Sequence, residues 1–322
     1  MTTTTQSQQL NIHKVIASRK PILVDGGLET TLVFHHQIDM PHFAAFDLMK
    51  NPQHRQIIDD YYREYLKLAI KYNTDFILES PTWRANPDWG YKLGYSEPEL
   101  MEANEASIRY MKSLAREYEE EINHIFISGC LGPRSDGYEV GEMMDVSEAM
   151  TYHMPQIRAF KNAGADMVSA LTMNYAEEAL GITFAAKFQY IPVVISFTLE
   201  TDGRLPNGQT LQEAIGIIER ETESYPLYYM INCAHPTHFM HQMQRQGKWK
   251  DRIMGIRANA SCKSHAELDE ATELDTGDID KLAVLNRTLK TVLPNLTVFG
   301  GCCGTDSRHI DAIGRQIAGM KN

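Results

Sequence analysis

No apolar run in this 322-residue chain approaches the length needed to span a bilayer. The stretch Met1–Gln9 is polar and rich in Thr and Gln, without the apolar core of a signal peptide, and is expected to be a disordered lead-in. Basic residues are the minority: 31 Lys and Arg against 42 Asp and Glu give a net charge of -11 and a pI near 5.6. With no phosphate-neutralising patch, nucleic acid is excluded as a partner, as is a membrane. The GxGxxG spacing of a dinucleotide site is absent, the 12 histidines form no HExxH, and no G-x-S-x-G elbow occurs. Cysteine is scarce. Five of them, an odd number, fit a reducing compartment and thiolate chemistry rather than disulfides, so a cytoplasmic location is expected.

What is present reads as an ordinary core-forming chain, 43% hydrophobic and 23% charged. Eight short apolar runs recur: 21–25, 75–79, 124–129, 166–171, 191–197, 227–232, 252–257 and 296–300. Near-continuous apolar runs suit parallel strands covered on both faces. Amphipathic segments lie between them, at 57–72, 97–121, 146–163, 211–224, 236–246, 279–293 and 307–320. The alternation predicts an α/β fold, a single (β/α)8 TIM barrel over 13–322 after a lead-in over 1–12; the rival is a doubly wound open sheet. Nothing in the chain fixes an oligomeric state, and a homo-oligomer is compatible with it.

In such a barrel the chemistry sits just past the strands. The polar residues cluster there: Asp25-Gly26-Gly27 after the first run, Glu79 and Thr82 after the second, Glu200 and Asp202 after the fifth, Cys233 after the sixth, Asn259 after the seventh. The eighth run ends in Gly300-Gly301-Cys302-Cys303-Gly304-Thr305. Neighbouring side chains of an extended chain point to opposite faces, so two adjacent cysteines grip one ion only if the backbone turns there. Gly300, Gly301 and Gly304 supply that freedom. A buried pair of small hydrophobes and a vicinal disulfide are the alternatives; the glycine frame favours metal binding. Cys233 lies 302 − 233 = 69 positions away, two βα units, which brings a third sulfur to the same layer. Three thiolates on Zn²⁺ leave a fourth position for water or substrate, the pattern of a catalytic site. Cys130 and Cys262 read as packing residues, and His235 as the cap of the following helix.

These residues resemble the zinc-dependent homocysteine S-methyltransferases, along nearly the whole chain. The resemblance is carried by Leu23-Val24-Asp25-Gly26-Gly27-Leu28-Glu29-Thr30, by Ile195–Thr198 with Asp202–Gly208, by Ile231-Asn232-Cys233 with Pro236, and by Gly300–Thr305. It implies a (β/α)8 barrel, Zn²⁺ on Cys233, Cys302 and Cys303, and methyl transfer to a small-molecule thiol, usually homocysteine, giving methionine. No catalytic residue beyond the zinc site is implied. The residues expected to bind substrate are Asp25, Gly26, Glu79, Thr82, Arg257 and Asn259. The chain has no room for folate and cobalamin modules or for the C-terminal arm of betaine-using members, which points to S-methylmethionine or S-adenosylmethionine as donor. A cationic donor would meet an acidic mouth (Glu79, Glu200, Asp202) or aromatic faces (Trp83, Trp89, Tyr91, Tyr175).

Two departures stand out. Leu171 occupies the place of the family's usual Glu, which helps hold the amino group of homocysteine, and Arg257-Ala258-Asn259-Ala260 replaces a common Tyr-Pro-Asn-Ser. Losing a carboxylate and gaining a guanidinium suggests an anionic thiol without an α-amino group as an alternative acceptor. Homocysteine then requires Asp25, alone or with Glu79, to hold its ammonium. Two further alternatives stay open. One is a zinc hydrolase or lyase with Glu79, Glu200 or His235 as base; the other is a non-catalytic zinc protein.

Overall fold

The computed structural model describes residues 12–244 and 246–318. Eight parallel strands close into one barrel in sequential order, β1 paired with β2 on one side and β8 on the other. They are β1 (Ile22–Leu23), β2 (Asp75–Glu79), β3 (Ile125–Leu131), β4 (Met167–Met173), β5 (Val193–Phe197), β6 (Tyr229–Asn232), β7 (Ile253–Ala258) and β8 (Val298–Gly301). The closed order excludes the open sheet. Each strand sits within an expected apolar run or overlaps it closely, because both faces of a parallel barrel strand are buried and leave an unbroken apolar signal. β4 runs two residues past Leu171 through an irregular register, with Thr172 at a φ of 63°.

Eight principal helices surround the barrel: α1 (Pro52–Tyr72), α2 (Glu97–Arg116), α3 (Val146–Ala163), α4 (Ala176–Phe188), α5 (Leu211–Thr222), α6 (Pro236–Met243), α7 (Ile279–Val292) and α8 (Ser307–Ala318). Their ends carry local signals. Asn51 Oδ1 accepts from the Gln53 amide at 2.8 Å to start α1, and Asp145 Oδ1 accepts from Glu148 at 2.8 Å to start α3. Gly164, at a φ of 83°, ends α3. One helix escapes the sequence reading. α4, AEEALGITFAAKF, is packed between α3 and α5 and buries residues all round, so it shows no polar face for periodicity to find.

The main core lies between barrel and helices. A second cluster fills the barrel interior with Val24, Ile77, Phe126, Val194 and Val298, and Ile12, Val15 and Ile16 pack onto it. The expected lead-in over 1–12 lies outside the described residues apart from Ile12, which is buried. The last residues expected in the final helix, 319 and 320, also lie outside them. Among the described residues no helix is long and apolar enough to cross a membrane.

Candidate metal centre and substrate cavity

Past β8 the chain turns sharply over Cys302-Cys303-Gly304. Gly304 has a φ of 78°, the left-handed region that favours glycine. Gly300 and Gly301 serve differently from expectation: they keep strand geometry and are required by close approach. A Cβ on Gly301 would lie 2.0 Å from Thr305 Oγ1, and one on Gly300 would lie 2.9 Å from the Asp25 carbonyl. Thr305 then pins the turn, its hydroxyl donating to the Cys302 carbonyl at 2.7 Å.

Cys233 is itself left-handed, at a φ of 51°, an uncommon conformation for a side chain-bearing residue. Its carbonyl shows what holds it there. It accepts from His265 Nε2 at 2.6 Å, from Asn259 Nδ2 at 3.1 Å and from Thr198 Oγ1 at 3.4 Å. The Sγ atoms of Cys233, Cys302 and Cys303 consequently lie within 4.8 Å of one another. Cys233 and Cys302 are joined as a disulfide, and Cys303 Sγ stands 4.0 Å from Cys233 Sγ. A fold that gathers three sulfurs to one point also brings two of them within bonding reach. Thiolates about 2.3 Å from a tetrahedral zinc would stand about 3.8 Å apart, so the cluster fits that ion once the pair is reduced. Asn232 Nδ2 contacts Cys302 Sγ at 3.9 Å, and Tyr138 Oη lies 3.3 Å from Cys303 Sγ. The Tyr138 ring stacks on His265, centroids 4.0 Å apart.

The sulfurs line a cavity of about 720 Å³ together with Asp25, Gly26, Glu29, Glu79, Leu171 and Arg257, among others. Its floor is ionic. Arg257 reaches across the glycine end of β8: its Nη2 donates to Asp25 Oδ1 at 2.6 Å and to the Gly26 carbonyl at 3.2 Å, and its Nε to the Gly301 carbonyl at 3.1 Å. Tyr61 donates to the other Asp25 oxygen at 3.0 Å. Both oxygens of Asp25 are thus already engaged. Burial raises the Asp25 carboxyl against the pull of Arg257 and Tyr61. Burial also pushes Glu79 up to about 7, opposed by the Arg257 charge, and Glu29 up to about 7.

Other expected residues fall elsewhere. Thr82 and Asn259 do not line the cavity: Thr82 Oγ1 donates to the Cys130 carbonyl at 2.6 Å, while Asn259 braces Cys233. His235 caps α6, accepting from the Thr237 amide at 3.4 Å. Cys130 is buried, whereas Cys262 is exposed and so is not the packing residue expected. The aromatic faces offered for a cation are largely taken or turned away. The Arg84 guanidinium sits 4.2 Å from the Trp83 ring and 4.0 Å from the Trp89 ring, and pairs with Asp136 at 2.8 Å. Tyr91 is 83% exposed and Tyr175 is buried. Of the acidic mouth, Glu79 lies on the floor, Glu200 faces His265 at 3.2 Å, and Asp202 accepts from the Arg204 amide within its turn.

Tyr138, His265, Asn232 and Glu29 were given no role by the sequence. Tyr138 comes from a loop and His265 opens the short helix His265–Asp269, neither carrying a periodic signal. Asn232 and Glu29 sit inside the two motifs, where only their neighbours carried recognisable chemistry.

Comparison with known proteins bears on the same residues. The family model for homocysteine S-methyltransferase matches residues 22–317. A homocysteine S-methyltransferase of Escherichia coli (strain K12) is 25% identical over 230 residues, 66% of this chain and 69% of that protein. Crystal structures of the homocysteine methyltransferase MmuM from Escherichia coli share the fold. The metallated form superposes with a TM-score of 0.71 at 18% identity, and the oxidized form with 0.72 at 17%, each covering 94% of this chain and 98% of theirs.

Proposed function

Because the chain belongs to the homocysteine S-methyltransferase family, we propose that it moves a methyl group from a sulfonium donor to the thiol of homocysteine, giving methionine, with Zn²⁺ held by Cys233, Cys302 and Cys303. S-methylmethionine or S-adenosylmethionine is the donor in this reading. The convergence of three sulfurs within 4.8 Å in the wall of the cavity is the observation that carries it.

A free alkyl thiol, with a pKa of about 8.5, is only a few per cent thiolate at neutral pH. Bound zinc supplies the Lewis acidity that deprotonates the acceptor thiol while leaving it nucleophilic. The chain's own residues do the rest. Cys233, Cys302 and Cys303, in a backbone-braced arrangement, would hold the zinc at the cavity wall. Leu171 and Trp83 present apolar surface there and limit water. An enclosing cavity contributes to the rate by orienting donor and acceptor before reaction. In the step, the acceptor sulfur forms a bond to the methyl carbon as the donor's S–CH₃ bond breaks. The bonding pair stays on the donor sulfur, which becomes a neutral thioether, and the thiol proton leaves to solvent.

Reduced Cys233 and Cys302 are a requirement of this reading, which a cytoplasmic location would meet. Of the three bases a hydrolytic role could use, His235 caps α6 and Glu200 is paired with His265, which leaves only Glu79. The test is a methyl-transfer assay on reduced, zinc-loaded protein. Methionine formed from homocysteine with either sulfonium, and lost on chelation, is the expected result. No transfer from either donor would remove the reading.

A further inference from the structure

Glu29 is a cavity carboxylate with no partner in the reaction as drawn. It lies in the short helix Leu28–Thr30 that follows β1, enclosed by protein yet keeping surface on the cavity. Its segment abuts the cysteine turn. The Gly27 amide donates to the Thr305 carbonyl at 3.0 Å, and the Gly304 amide donates to Thr30 Oγ1 at 3.2 Å. Glu29 and the sulfurs therefore share one wall.

Two other acidic groups lining the cavity are held by guanidinium groups. Asp25 is neutralised in contact by Arg257 and takes a second hydrogen bond from Tyr61. Asp136 is paired with Arg84. Glu79 Oε2 is buried without a hydrogen-bond partner, and the Arg257 charge acts on its carboxyl. Leu171 offers only methyl groups. Among the described residues no cation makes an ion pair with Glu29, although Arg257 and Arg84 are near enough to be felt electrostatically. Its carboxyl is held near neutrality by burial, and a cationic partner would favour its ionised form.

We propose that Glu29 receives the α-ammonium group of the acceptor thiol, in place of Asp25, whose carboxylate Arg257 occupies. This rests on the reading of the site as a thiol methyltransferase. The choice against the donor's sulfonium centre follows from the charge change. A sulfonium donor loses its charge on transfer, so a carboxylate against it would stabilise reactants more than the transition state. The acceptor ammonium keeps its charge throughout, so the same contact there costs the chemical step nothing.

The test is calorimetric binding of L-homocysteine and of 4-mercaptobutanoate, the same thiol acid without the amine, to reduced zinc-loaded protein. Wild type should prefer homocysteine. Glu29→Gln should weaken homocysteine by roughly tenfold or more, as for loss of a charged hydrogen bond, and move 4-mercaptobutanoate by less than about twofold. Glu29→Asp, which keeps the charge, should keep the preference, and zinc content and melting temperature report folding of each variant. Equal weakening of both thiols, no change in either, or a wild-type preference for 4-mercaptobutanoate would overturn the assignment while leaving the methyltransferase reading intact. If wild type binds neither thiol, that reading falls and the Glu29 assignment with it.

Discussion

The sulfur wall and the ionic floor of the cavity are a few residues apart and are built in opposite ways. At the wall, backbone fixes side chains: a left-handed Cys233, a glycine at 304 and a carbonyl with three donors aim the sulfurs. On the floor, side chains fix one another, and the Arg257–Asp25 pair cancels its charge internally. A backbone-built wall tolerates loss of a ligand sulfur without losing its shape. The floor does not tolerate loss of one charge, because its partner is then stranded away from water.

The sharpest separation between the two comes from Cys302→Ser. Metal affinity should fall by well over about 100-fold, since even groups behind the ligands are worth 10–100-fold, and methyl transfer should fall with it. Reduced protein should melt within a few degrees of reduced wild type. Zinc measured after dialysis decides this, and full zinc retention would break the account of the wall. Arg257→Met should show the opposite pattern, zinc retained but stability lowered by about 3 kcal/mol or more in urea unfolding. Unchanged stability would mean that the floor does not depend on the pair.

A smaller effect is expected from Glu79→Gln. The Glu79 carboxyl stands at about 7 when folded against an ordinary value of 4.5, so the folded chain holds its proton more tightly than the unfolded one. Wild-type stability from this group is greatest below pH 4.5 and declines as pH rises to about 7, where the buried charge must form. The variant should therefore gain stability relative to wild type at pH 8 compared with pH 5. Equal differences at both pH values would contradict it.

The same contrast governs what could be read from residues alone. Cysteines are scarce and flanked by glycines, and a barrel's two-unit interval joins Cys233 to the pair, so the sulfur wall was legible. The strands were too, β2 to its end residues, because burial on both faces leaves unbroken apolar runs. α4 was hidden by that same apolarity. The floor was legible only as a list of suspects. Arg257 and Asp25 are 232 positions apart, and the guanidinium expected to face substrate lines the cavity while also pairing with an internal carboxylate. Arg84, in the same way, fills the space between two tryptophans that looked available to a donor.

The central claim is that three sulfurs of this chain and one of the acceptor surround a single zinc. X-ray absorption at the zinc edge of reduced protein, before and after homocysteine, tests it most directly. The account predicts three sulfur neighbours at about 2.3 Å rising to four with the thiol bound. A sulfur count that does not change on adding homocysteine, or a protein that takes up no zinc when reduced, would contradict it.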